Sequence, residues 1–146
     1  MKKIILSTLV AGALLLPSIA NAQQAKGLNV IVNSANSQTQ SMAMVLSLMS
    51  MKKHKKEVNI TLCGAAGDLA DKNIKGVITK KPKGKVISAK KLLQKLIKMG
   101  ASVQVCPLYL PNANKDKTIL MDGITIGKPP MIAEKLLNTD YQNISF

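Results

Sequence analysis

Apolar and polar positions change their spacing several times along the chain, and each change marks an element. Leu28-Asn29-Val30-Ile31-Val32 is rich in β-branched residues and closes on Asn33-Ser34-Ala35-Asn36-Ser37, which predicts a strand leaving into a polar loop. From about Gln38 to His54 the period becomes helical, with Met42, Val45 and Met49 on one face and Asn36 or Ser37 available as a cap. Lysines from Lys52 to Lys56 suit the carboxyl end of that helix. Val58 to Leu62 returns to strand character and stops at Cys63-Gly64, completing a βαβ unit.

The stretch from Gly64 to Lys85 has no clear period. It reads as a long loop with a short helix near Leu69 to Asn73 and a lysine-rich run from Lys80 to Lys85. Order resumes at Ser88, a cap for a helix with Leu92, Leu93, Leu96 and Ile97 as its apolar stripe and Gly100 as its terminator. Val103 to Cys106 reads as the third strand, followed by a stiff, proline-containing loop from Pro107 to Asn112. Asp116 to Met121 suggests a short helix, Ile124 to Ile126 a fourth strand, Pro130 to Leu137 a last helix and Asn143 to Phe146 a closing strand. Strands alternating with helices predict an α/β domain with a largely parallel sheet covered on both faces. No internal repeat is present.

The first residues have a different logic. Met1-Lys2-Lys3, the apolar run Ile4 to Leu16, and Ala20-Asn21-Ala22 have the layout of a cleavable secretory signal over residues 1–22. The run is shorter than the roughly 20 residues of a bilayer span, so removal rather than a membrane span is expected. The mature chain, residues 23–146, is then 124 of the 146 residues and is expected to form one domain in the periplasm. Loss of Lys2 and Lys3, with no acidic residue, lowers the formal charge from +14 to +12. Such a balance attracts anions, but an exported chain with no Trp, one Phe and two Tyr lacks the stacking residues of a nucleic-acid binder.

Candidate chemistry concentrates at strand ends. In a parallel sheet, ligands bind beyond the carboxyl ends of the strands, where Cys63 and Cys106 both fall. If their strands are neighbours, the two could form a disulfide, as an oxidising compartment favours, or remain as small buried thiols. The other reading is a reactive Cys106 thiolate with Cys63 as resolving partner or bystander. Gly64-Ala65-Ala66-Gly67 lacks the lysine and hydroxyl of a phosphate loop and reads as a tight turn. His54, flanked by lysines, reads as solvated. Side chains two apart on a helix point about 200° apart, which divides Met42 and Met49 from Met44 and Met51. The first pair is assigned to the core and the second to an apolar face that buries against another subunit, in preference to a copper site. No cofactor is implied, and neither a Ser/His/Asp triad nor zinc-ligand spacing occurs.

Three blocks carry a family resemblance: Leu62-Cys63-Gly64-Ala65-Ala66-Gly67-Asp68-Leu69-Ala70, Val105-Cys106-Pro107-Leu108-Tyr109-Leu110-Pro111-Asn112, and the first strand with Gln38-Thr39-Gln40, joined by Lys128-Pro129-Pro130. Together they resemble the DsrE/DsrF-like family over nearly all of the mature chain. The resemblance implies a three-layer α/β/α sandwich with a mostly parallel five-stranded sheet, assembled as a homotrimer or a multiple of it. It also implies sulfur handling, with Cys106 at the position that accepts sulfur as a persulfide.

The leading expectation is therefore a periplasmic, sulfurtransferase-like sulfur carrier. In it Cys106 and Cys63 form the reactive pair, Gly64, Gly67, Asp68, Tyr109 and Asn112 frame the site, and a protein or small sulfur species serves as donor or acceptor. The alternative is a non-catalytic oligomeric binding module with a structural Cys63–Cys106 disulfide and a basic surface, Lys80 to Lys85, for anions. A thiol–disulfide redox protein is a third reading, without the Cys-x-x-Cys device that usually tunes such a pair.

Overall fold

The computed structural model describes residues 24–146, so the signal expected over residues 1–22 lies outside the described residues. The chain runs β1 (Gly27–Val32), α1 (Ser37–His54), β2 (Glu57–Leu62), a 3-10 helix (Gly64–Leu69), β3 (Ile78–Lys80), β4 (Val86–Ser88) and α2 (Ala89–Lys98). It continues through β5 (Ser102–Val105), the single turn α3 (Tyr109–Asn112), β6 (Ile124–Ile126), α4 (Pro129–Leu137) and β7 (Tyr141–Ser145). Five strands form one wholly parallel sheet in the order β6-β5-β2-β1-β7, and β3 and β4 make a separate antiparallel hairpin.

The layering follows from the order of the strands. From β1 the chain steps to β2, β5 and β6 in one direction, so right-handed crossovers place α1 and α2 on the same face. The step from β6 to β7 runs back across the sheet, and the same handedness puts α4 on the opposite face. The main core lies under α1 and α2. Val30, Val32, Ile60, Leu62 and Val105 meet Met44, Leu93 and Leu96 there, all essentially excluded from solvent. Burying each such aliphatic side chain contributes about 1.5–3 kcal/mol.

The second face differs from the greasy surface expected of a buried parallel sheet. Asn143, Asn29, Asn59 and Ser102 stand side by side in register across β7, β1, β2 and β5. Asn29 Nδ2 donates to Asn143 Oδ1 at 3.0 Å and to the Lys135 carbonyl of α4 at 2.5 Å, while Asn59 Nδ2 donates to Asn29 Oδ1 at 3.0 Å. This ladder saturates the buried Asn29 amide and fastens α4 to the sheet.

Four local expectations are corrected. The segment from Ile78 to Ser88 is a hairpin rather than loop, and the first helical turn after β2 comes at Gly64–Leu69 rather than near Leu69 to Asn73. Residues Tyr109–Asn112 form a helical turn, which tolerates Pro111 because amides of a first turn have no partner within the helix. On α1 the core face carries Ala43, Met44, Ser47 and Leu48, with Met51 packed beside them, while Met42, Leu46 and Met49 are exposed. Small Ala43 and Ser47 let the helix approach closely, and Ser47 Oγ satisfies itself by donating to the Ala43 carbonyl at 2.8 Å.

Candidate functional site

β2 and β5 are neighbours with Leu62 opposite Val105, so the cysteines that follow them emerge side by side at the carboxyl edge of the sheet. Each is held by the extension of the ladder: Cys63 N–H donates to the Val32 carbonyl and Cys106 N–H to the Leu62 carbonyl, both at 2.8 Å. Each also begins a turn, since the Cys63 carbonyl accepts from Ala66 N–H at 3.1 Å and the Cys106 carbonyl from Tyr109 N–H at 2.9 Å. Gly64 adopts φ +50°, left-handed geometry that disfavours a side chain, and this lets the chain fold over directly after Cys63.

Both cysteines are free and partly exposed. They line a pocket of about 540 Å³ with Gly64, Asp68, Leu108, Tyr109 and Asn112. Burial, and then a hydrogen bond and charge interaction with Cys106, push the Cys63 thiol up to about 12. Cys63 therefore keeps its proton at neutral pH.

Two of the lining residues, Asp68 and Tyr109, belong to a charged network. Tyr109 OH donates to Asp68 Oδ1 at 2.8 Å, and Lys115 Nζ donates to Asp68 Oδ1 and to Tyr109 OH, each at 3.1 Å. Lys115 also pairs at 2.9 Å with Asp71, whose side chain is almost fully buried. Burial alone would raise the Asp71 carboxyl, but the Asn73 N–H, Lys115 and Lys90 outweigh it and hold the group below its ordinary value. Lys115 is held above the ordinary lysine value, chiefly by Asp71 and then by Tyr109. Burial, followed by the bond to Asp68, raises Tyr109 and keeps it a phenol. Beneath, Lys90 donates to the carbonyls of Asp71 and Ile74 and ties α2 to this wall.

Of the residues singled out in the sequence, Cys63, Cys106, Gly64, Asp68, Tyr109 and Asn112 meet at one pocket. Gly67 does not line it. It lies buried beneath the Tyr109 ring, where an added Cβ would come within 2.1 Å of Cδ2, so its role is to seat the tyrosine. His54 is exposed at the end of α1, and the described residues hold no group of three His, Cys, Asp or Glu side chains fit for a metal. Lys115 and Asp71 were not singled out. The available signal was Asp68 and Asp71 three residues apart, a spacing that stacks side chains on a 3-10 turn, in a chain with only seven acidic residues.

Solved structures that share this architecture include the following two. The ychN protein from E. coli is 19% identical, covers 82% of this chain and 99% of its own, and superposes with a TM-score of 0.61. The likeness supports a DsrE-like fold. A protein of unknown function, MTH1491 from Methanobacterium thermoautotrophicum, is 8% identical with the same coverage and a TM-score of 0.61. No protein-family model and no curated protein matches the chain. At these identities the likeness is one of fold, and the expected α/β class with a five-stranded parallel sheet is confirmed. Among the described residues no helix is long and apolar enough to cross a membrane.

Proposed function

We propose that this protein is an exported sulfur carrier of the DsrE/DsrF-like family that holds sulfane sulfur on Cys106 and works in the periplasm. The observation that carries the reading is the pairing at one pocket of two free cysteines, one of which stays protonated. In the loading step the Cys106 thiolate attacks the terminal sulfur of a persulfide or polysulfide. A new S–S bond forms at Cys106 as the donor's S–S bond breaks, and the donor leaves as a thiolate carrying the bonding electron pair. Transfer to an acceptor thiol repeats the exchange in the opposite sense, with no net oxidation.

The state of Cys63 protects the cargo. As a thiolate it would attack the inner sulfur of the persulfide, expel hydrosulfide and close a disulfide; as a thiol it donates to the cargo and leaves it intact. Tyr109 and Asp68, both bonded to Lys115, give the pocket a fixed, polar wall, and the exposed Leu108 gives it an apolar rim. The trimeric or higher assembly implied by the family belongs to the same proposal, and the exposed stripe Met42, Leu46 and Met49 on α1 is an apolar face that suits it.

The test is sulfane sulfur released by cyanide after incubation with polysulfide. Wild type is expected to load about one sulfur per chain, Cys63→Ser to load comparably because a hydroxyl still donates, and Cys106→Ser to lose loading. Full loading of folded Cys106→Ser would overturn the proposal.

A further inference from the structure

A second concavity, of about 670 Å³, lies away from the cysteines, between the β3–β4 hairpin and α2. Its apolar surface comes from Ile78, Val86, Ile87 and Leu92. Four lysines, Lys75, Lys81, Lys91 and Lys95, surround that surface, and no acidic residue occurs anywhere between Lys72 and Lys115 to neutralise them. The hairpin is docked: Ser41 Oγ donates to Thr79 Oγ1 at 3.1 Å, and Thr79 Oγ1 donates to the Ser37 carbonyl at 3.3 Å.

Ser88 makes this concavity more than a greasy dent. It precedes the ten-residue α2 in the capping position, yet its side chain caps no amide of the helix. It is only 6% exposed, it lines the concavity, and its Oγ is a buried polar atom with no hydrogen-bond partner. A buried hydroxyl without a partner is costly, and a ligand oxygen can recover that cost. The positive amino end of α2 and the flanking lysines select an anionic oxygen for that place.

We propose that this groove is a binding site for a single-chain anionic amphiphile of the fatty-acid class. The carboxylate accepts from Ser88 Oγ and pairs with Lys91 and Lys95, while the tail lies on Ile78, Val86, Ile87 and Leu92. The volume is within the range of small-molecule sites, and the combination of apolar floor and cationic rim fits an amphiphile better than a bare oxyanion.

The experiment is calorimetric titration of the mature protein with dodecanoate below its micellar concentration, alongside acetate, inorganic phosphate and dodecyltrimethylammonium. Saturable one-to-one binding of dodecanoate is expected, weakened about tenfold or more in K91E/K95E and several-fold in S88A, since a charge-assisted contact is worth roughly one decade. Lys91 and Lys95 are exposed on α2, and denaturant unfolding midpoints equal to that of wild type verify the fold of these variants independently of the sulfur-carrier reading. Equal affinity for the cationic amphiphile, equal affinity for acetate or phosphate, or unchanged binding by K91E/K95E would each overturn the proposal. Capture by anionic vesicles without binding of free dodecanoate would also overturn it and assign the lysines to a membrane surface.

Discussion

At the scale of single residues, the two cysteines differ by environment rather than by chemistry. Cys63 closes a central strand and is pushed up to about 12 by burial and by Cys106, so alkylation near pH 8 is expected to mark Cys106 first and Cys63 only slowly. Peptide mapping after brief iodoacetamide treatment checks this; equal labelling of both would contradict it. Gly67 gives a second prediction. Because its missing Cβ makes room for the Tyr109 ring, Gly67→Ala is expected to cost about 1–3 kcal/mol in denaturant unfolding and to disturb the Tyr109–Asp68 bond. The cysteines, Asp68, Tyr109 and Asn112 were legible because strand-end positions are marked by hydrophobic runs that stop. Gly67 was legible as important but not as buried packing, since its role depends on a ring 42 positions away in the chain.

At the scale of elements, the βαβ unit was legible because β-branched runs and a long helical period carry it. The hairpin was not, because its strands are three residues each, too short to show an alternation, and a lysine-rich turn separates them. The inward face of α1 differs from the sequence expectation for a physical reason: apolar spacing favours Met42, Val45 and Met49, whereas close packing selects the small Ala43 and Ser47. Polar Gln40 follows them inside because its Nε2 donates to the Ser34 carbonyl at 2.8 Å. The asparagine ladder is the other device visible only in register. Asn29→Leu is expected to destabilise by about 1–3 kcal/mol, because it leaves Asn59 and the Lys135 carbonyl without their partner. An unfolding midpoint equal to that of wild type would contradict that role.

At the scale of the whole molecule, the network behind the pocket links its stability to pH. Asp71 is held below 3.8, so its contribution is present above that value and is lost as pH falls through the lower folded value. Lys115 is held above 10.5, so its contribution is present below that value and is lost as pH rises beyond it. Asp71→Asn is therefore expected to cost about 1–3 kcal/mol near neutrality and to flatten the acid limb of stability, measured by denaturant unfolding at several pH values. An acid limb identical to that of wild type would remove Asp71 from the account.

The sulfur-carrier reading is tested most directly by the intact mass of the mature protein after polysulfide treatment, with the modified peptide then located. The account predicts a gain of one sulfur atom that sits on the Cys106 peptide and disappears on reduction. A chain that gains no sulfur and is two hydrogens lighter than its reduced form, with Cys63 and Cys106 joined, would contradict it and make the protein a disulfide-locked binding module.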